Sequence, residues 1–109
     1  MRRLINCTPH AVAVENGGKR TEYPPSGNVV RVTMAEKPAG TICRITAITR
    51  QIVGVEGLPA LRPGDVLIVS AMVLDHLPPN LAAVAPDTGT TAVRDEAGRL
   101  VAVTRFVVR

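Results

Sequence analysis

Val, Ile and Thr at period two, cut at short intervals by Gly and Pro, restrict this chain more than any other feature. Such alternation sets successive side chains on opposite faces of a strand, and it does not suit a helix. Asn28–Met34 is the cleanest case, with Val30, Val32 and Met34 expected to point inward and Val29, Arg31 and Thr33 outward. Ala11–Glu15 and the residues after Lys19 flank Gly17-Gly18, which predicts a tight hairpin. In its register Glu15 faces Arg20, Val14 faces Thr21 and Val12 faces Tyr23, so charge meets opposite charge.

Further along, Ala35–Gly40 reads as a polar connection and Thr41–Val55 as one long or two abutting β-branched strands. Cys43 falls inside that run and is expected in the core. Val66–Val69 is continuously apolar, the mark of a central strand covered on both faces. Ser70 is a good N-cap for a short helix over 70–77 that must stop at Pro78-Pro79, with Met72, Val73 and Leu77 packed on the sheet. Asp95-Glu96-Ala97-Gly98-Arg99 predicts a second hairpin with Gly98 in the left-handed position, leading into a long last strand over Leu100–Val108. No linker or repeat interrupts the pattern. The fold expected for residues 1–109 is a single mainly β, β-rich α+β domain with one short helix. Its antiparallel or mixed sheet is open or barrel-like.

Composition removes several function classes. The chain has no Trp, one Tyr and one Phe, so the aromatic platforms on which single-strand nucleic-acid modules stack bases cannot be built. The net charge of +4 favours anionic partners, yet the basic residues are scattered and interrupted by acids. A small phosphorylated ligand fits that balance better than an extended nucleic-acid track. Cys7 and Cys43 form no CxxC pair, and His10, His76, Cys7 and Asp75 lack metal-ligand spacing, so neither a metal nor another cofactor is expected. With no transmembrane run, a soluble protein of a reducing cytoplasm is expected.

Two polar segments stand out. Pro86-Asp87-Thr88-Gly89-Thr90-Thr91-Ala92-Val93-Arg94-Asp95 is too polar for core and too rich in hydrogen-bonding groups for a spacer. Its Asp-Thr-Gly is not the aspartic-protease motif, because a proline precedes the aspartate and only twenty residues follow the glycine. Turn chemistry accounts for it instead. Asn6-Cys7-Thr8-Pro9-His10 is the second segment, which either satisfies the backbone at a strand end or donates to a ligand. Pro25-Ser26-Gly27 has too few glycines for a phosphate cradle.

The opening Leu4-Ile5-Asn6-Cys7-Thr8-Pro9-His10-Ala11-Val12 resembles a family of small phage, prophage and bacterial proteins. Pro86-Asp87-Thr88-Gly89 and Ala92-Val93-Arg94-Asp95 share that resemblance, which spans most of the chain. Cys7 stands where the family has an aliphatic residue. The resemblance brings no activity with it; it implies a phage-type protein that acts by binding, as anti-defence proteins that sequester nucleotide signals do. The expected function is therefore non-catalytic sequestration of a small phosphorylated, nucleotide-derived ligand in the host cytoplasm, by a homo-oligomer. Arg94 is the expected phosphate donor. Thr8, His10, Thr88, Thr90 and Thr91 would add hydrogen bonds, and Asp87 would read a ribose hydroxyl or a base amine. The alternative is a structural or protein-interaction module, a virion accessory or host-factor inhibitor, working through strand addition at Leu100–Val108. An enzyme would have only His10 with Asp87 or Asp95 to use.

Overall fold

The computed structural model describes residues 2–109. Along them run β1 (Arg3–Asn6), β2 (Val12–Asn16), β3 (Lys19–Tyr23), β4 (Arg31–Ile42), β5 (Ile45–Glu56) and β6 (Asp65–Ile68). Helix α1 (Ala71–Leu74), β7 (Ala83–Pro86), β8 (Val93–Arg94), β9 (Leu100–Ala102) and β10 (Phe106–Val107) follow. The fold is mainly β, and its sheets stay open; none closes into a barrel.

The organising sheet is mixed, in the order β1-β6-β7-β10. Its first three strands are parallel, with Asn6 opposite Ile68 and Ile68 opposite Val84, and β10 runs antiparallel to β7. The apolar run 66–69 forms the centre, where Leu67, Ile68 and Val69 have no exposed surface. Such a run forms where both faces are covered. Cys7, Val30, Val73, Leu74, Leu77, Ala83 and Ala85 complete the core around it. Burial pushes the Cys7 thiol up, with a smaller opposing effect from the Ser26 hydroxyl, so Cys7 stays a protonated core residue.

Ser70 caps α1 as its sequence position implies, its hydroxyl oxygen accepting from the Val73 N–H at 3.3 Å. The helix is one turn, shorter than 70–77, and Met72 faces outward while Leu74 takes the core position. The Arg109 guanidinium donates to the carbonyls of Leu77, Pro78 and Leu81 at 2.6, 2.6 and 2.7 Å. It thereby holds the segment that the prolines stop from continuing as helix.

The β2–β3 hairpin has the anticipated register, Val12 opposite Tyr23 and Glu15 opposite Arg20, with the Arg20 Nε bonded to the Glu15 carboxylate at 2.9 Å. Gly17 and Gly18 take φ of 60° and 81° at its tip, a turn that glycine makes without steric cost. β2 then adds to Val103, the Glu15 N–H donating to the Val103 carbonyl and the Val103 N–H to that of Ala13.

Residues 35–51 depart from expectation. Ala35–Gly40 is no connection but the outer half of β4, and Cys43 is exposed at a two-residue turn with Arg44. Both residues have positive φ, 51° and 68°, without the Gly, Asn or Asp that marks such a turn in sequence. The result is a long two-stranded ribbon, β4–β5, bulged between Thr33 and Met34 and again between Pro38 and Thr41. The radius of gyration is 17.0 Å, against about 13 Å for a chain of this length folded without a projection. The long last strand is also divided, Ala102–Val103 ending against β8 and β2 before Phe106–Val107 joins β7. The edge invoked for strand addition is therefore largely paired within the chain.

Candidate functional site

Three hydroxyl residues stand two places beyond the carboxyl ends of the three parallel strands: Thr8 after β1, Ser70 after β6 and Thr88 after β7. They line one cleft of about 370 Å³, within the range of small-ligand pockets, together with His10. Its floor and walls are apolar, from Val12, Val69, Pro86, Leu100 and Val103 among others. In open sheets with parallel strands, the carboxyl ends are where the chain turns away and leaves a crevice for a ligand.

Each hydroxyl arrives there for a local reason. Asn6, 2 % exposed at the end of β1, donates both amide hydrogens, to the His10 and Tyr23 carbonyls at 2.8 Å each. Its Oδ1 accepts the Thr8 N–H at 3.0 Å and the Thr8 hydroxyl at 2.6 Å. The Thr8 hydroxyl also lies 2.9 Å from the His10 carbonyl. Both partners are acceptors, so its one hydrogen is committed within the chain and it can only accept from a ligand. Ser70 is the reverse case: its oxygen accepts from Val73 and its hydrogen is left to donate. Thr88 is exposed, and its backbone carbonyl accepts from the Arg94 Nη2 at 3.0 Å.

Of the expected ligand residues, Thr8, His10 and Thr88 converge on this cleft across some eighty positions of sequence. Asp87, Thr90, Thr91 and Arg94 do not line it. Asp87 latches the loop: its Oδ2 accepts from the Arg105 Nε at 2.6 Å and its Oδ1 from the Gly89 N–H at 3.0 Å. Those two bonds hold its carboxyl below the usual carboxylate range. Thr91 turns its hydroxyl inward, buried without a hydrogen-bond partner among the described residues, while its carbonyl accepts from Thr104 at 3.1 Å. Arg94 spends its guanidinium on two carbonyls, those of Gly98 at 3.0 Å and Thr88. It positions Thr88 from behind and does not enter the cleft. Asp95 accepts from the Ala97 and Arg99 N–H groups and closes its own turn.

Ser70 is the cleft residue that sequence reading assigned only to a helix cap. The signal in the sequence is a hydroxyl placed directly after the apolar run 66–69. Among the described residues no Lys or Arg lines the cleft. Neither Asp87 nor Asp95 is bonded to the His10 ring, so no acid–base pair is assembled there among the described residues. No group of three potential metal ligands is gathered among those residues either.

No protein-family model, curated protein or solved structure matches the chain.

Proposed function

We propose that this chain is a non-catalytic binding protein that sequesters a small phosphorylated, nucleotide-derived ligand at the carboxyl edge of β1, β6 and β7. The observation that carries the reading is the convergence of Thr8, Ser70 and Thr88 on one apolar-floored cleft. A flat ring lies on the Val12, Leu100 and Val103 floor, where dispersion and exclusion of water favour it without an aromatic partner. Ser70 donates and Thr8 accepts, a pair that suits the mixed edge of a base or a sugar hydroxyl. The phosphate points out of the cleft toward the Thr88 rim, behind which Arg94 sits. In the phage setting that the resemblance implies, such a ligand is a nucleotide signal of host defence, held in the host cytoplasm.

Native mass spectrometry on protein purified from cells tests this. A nucleotide released by heat from the wild-type chain, and absent from Ser70→Ala/Thr88→Ala, is the expected outcome. A bare chain that also fails to take up linear, cyclic or ADP-ribose-type nucleotides would refute it. The second reading, a protein-interaction module, is favoured by one specific observation, the exposure of Met34, Ile42, Ile45, Ile48 and Val53 on the β4–β5 ribbon.

A further inference from the structure

Thr8 and Ser70 line a second pocket as well as the cleft. Its volume is about 330 Å³, and Val32 of β4 with Met72 and Val73 of α1 are among its walls, whereas the cleft lies against Val12 of β2 and Leu100 of β9. The two hollows therefore meet at the hydroxyl pair beyond β1 and β6. Arg31, the first residue of β4, lines the second pocket and not the cleft. The Val30 N–H donates to the Cys7 carbonyl at 3.0 Å, which sets the start of β4 beside the end of β1. Arg3, Arg20, Arg50 and Arg105 are paired with carboxylates, and Arg94 and Arg109 with carbonyls. Arg31 has neither kind of partner among the described residues; Glu56 is opposite it in the register but forms no ion pair with it. No Asp or Glu lines this pocket among the described residues, and burial keeps the Cys7 thiol, which does line it, protonated. The second pocket thus offers a cation with no acid to oppose it.

We infer that the ligand is a nucleotide phosphorylated on both sides of its sugar, which crosses the Thr8–Ser70 boundary and sets its second phosphate against Arg31. The inference rests on the reading of the cleft as a nucleotide site and extends it into the neighbouring pocket. A sugar hydroxyl both donates and accepts, which matches an accepting Thr8 beside a donating Ser70. With the sugar at that pair, one phosphate leaves toward Thr88, which lines the cleft and not the second pocket. A second phosphate leaves on the other side, toward Arg31. The guanidinium fork takes two phosphate oxygens at once, a contact for which the cleft has no residue of its own. A nucleotide with a single phosphate fills the cleft and leaves the Arg31 pocket unused.

Nuclear magnetic resonance on the labelled full chain tests the two halves separately, with pyrophosphate, adenosine 5′-monophosphate and adenosine 3′,5′-bisphosphate as probes. Pyrophosphate alone is expected to shift the Arg31 Nε–H and the Thr8 and Ser70 amides saturably. The Arg44 Nε–H, at the exposed tip of the β4–β5 ribbon, serves as the control and is expected to stay nearly still. The bisphosphate is expected to bind at least tenfold more tightly than the monophosphate. That gain disappears in Arg31→Ala and returns in part in Arg31→Lys, while monophosphate affinity is unchanged in both. An Arg31 signal that pyrophosphate leaves unmoved, or moves only in step with Arg44, overturns the inference. So does a bisphosphate that gains nothing over the monophosphate, or whose gain survives Arg31→Ala. Shifts of the Val12 and Leu100 amides with the monophosphate, and none at Arg31 with any probe, keep the cleft reading and overturn this one. Shifts at Arg31 with the cleft amides unmoved by both nucleotides overturn the spanning ligand together with the cleft reading.

Discussion

The Oδ1 of Asn6 accepts both the N–H and the hydroxyl of Thr8, at 3.0 and 2.6 Å, and so fixes where the first cleft hydroxyl stands. Asn6 itself is almost fully buried, and its amide hydrogens bind the carbonyls of His10 and Tyr23. One side chain thus ties the end of β1 to the loop before β2 and to the end of β3. Asn6→Ala leaves the Thr8 N–H and the Tyr23 carbonyl without their partner in a partly buried setting, while the Thr8 hydroxyl keeps the His10 carbonyl; each lost partner costs about 1–3 kcal/mol. Chemical denaturation is expected to show a loss of about 3 kcal/mol, part of it recovered as water enters the gap. Asn6→Asp does no better, because a carboxylate cannot donate to the two carbonyls. A variant as stable as the wild type would show that the knot is dispensable.

Asp87 gives a pH signature. Arg105 and the Gly89 N–H depress its folded pKa, so the ionised form favours the folded state. That contribution is complete above the unfolded carboxyl value of about 4 and is lost as pH falls through the folded value. Asp87→Asn keeps the acceptor for Gly89 and removes the charge. Its melting temperature is expected below that of the wild type at pH 7, and the gap closes as the pH drops below about 4. Asp65 also has a lowered pKa, set by the Arg62 N–H and by Arg3, but it is present in both proteins and cancels. A gap independent of pH would contradict the assignment.

Two glycines with similar φ separate strain from crowding. Gly98 has φ of 80° with open space around it, so Gly98→Ala is expected to cost about 1 kcal/mol from conformation alone. Gly57 has φ of 86°, and a Cβ there would overlap the Val29 carbonyl. Gly57→Ala must move the backbone at the base of the β4–β5 ribbon, and its expected cost is at least about 3 kcal/mol. Urea midpoints of the two variants check the order.

Arg94 is expected to act on the loop and only indirectly on a ligand. Arg94→Ala frees the carbonyls of Thr88 and Gly98, both solvent-accessible, at a cost of about 1 kcal/mol or less. Amide exchange over 88–98 accelerates while that of β6 is unchanged. Ligand affinity falls in proportion to the lost order at Thr88. An abolition of binding with unchanged exchange would return Arg94 to direct contact.

Elements with a local chemical cause were legible in the sequence. Gly17-Gly18 and Gly98 mark their turns, Ser70 its cap, and the unbroken 66–69 run its central place. The β4–β5 ribbon was not, because Ile42-Cys43-Arg44-Ile45 turns without a turn residue and Pro38 sits in an outer strand where it reads as a loop. The cleft was half legible. Thr8, His10 and Thr88 were visible as polar outliers, but parallel pairing of β1, β6 and β7 is a long-range event. Only that pairing brings Ser70 beside them and turns Arg94 and Asp87 into supports of the loop.

The decisive measurement is a nuclear magnetic resonance titration of the labelled full chain with linear, cyclic and ADP-ribose-type nucleotides. Saturable shifts of the Thr8, Ser70 and Thr88 amides with one of them, greatly weakened in Ser70→Ala/Thr88→Ala, are the predicted result. Spectra unmoved by all three classes, or shifts confined to residues outside the cleft, would contradict the account.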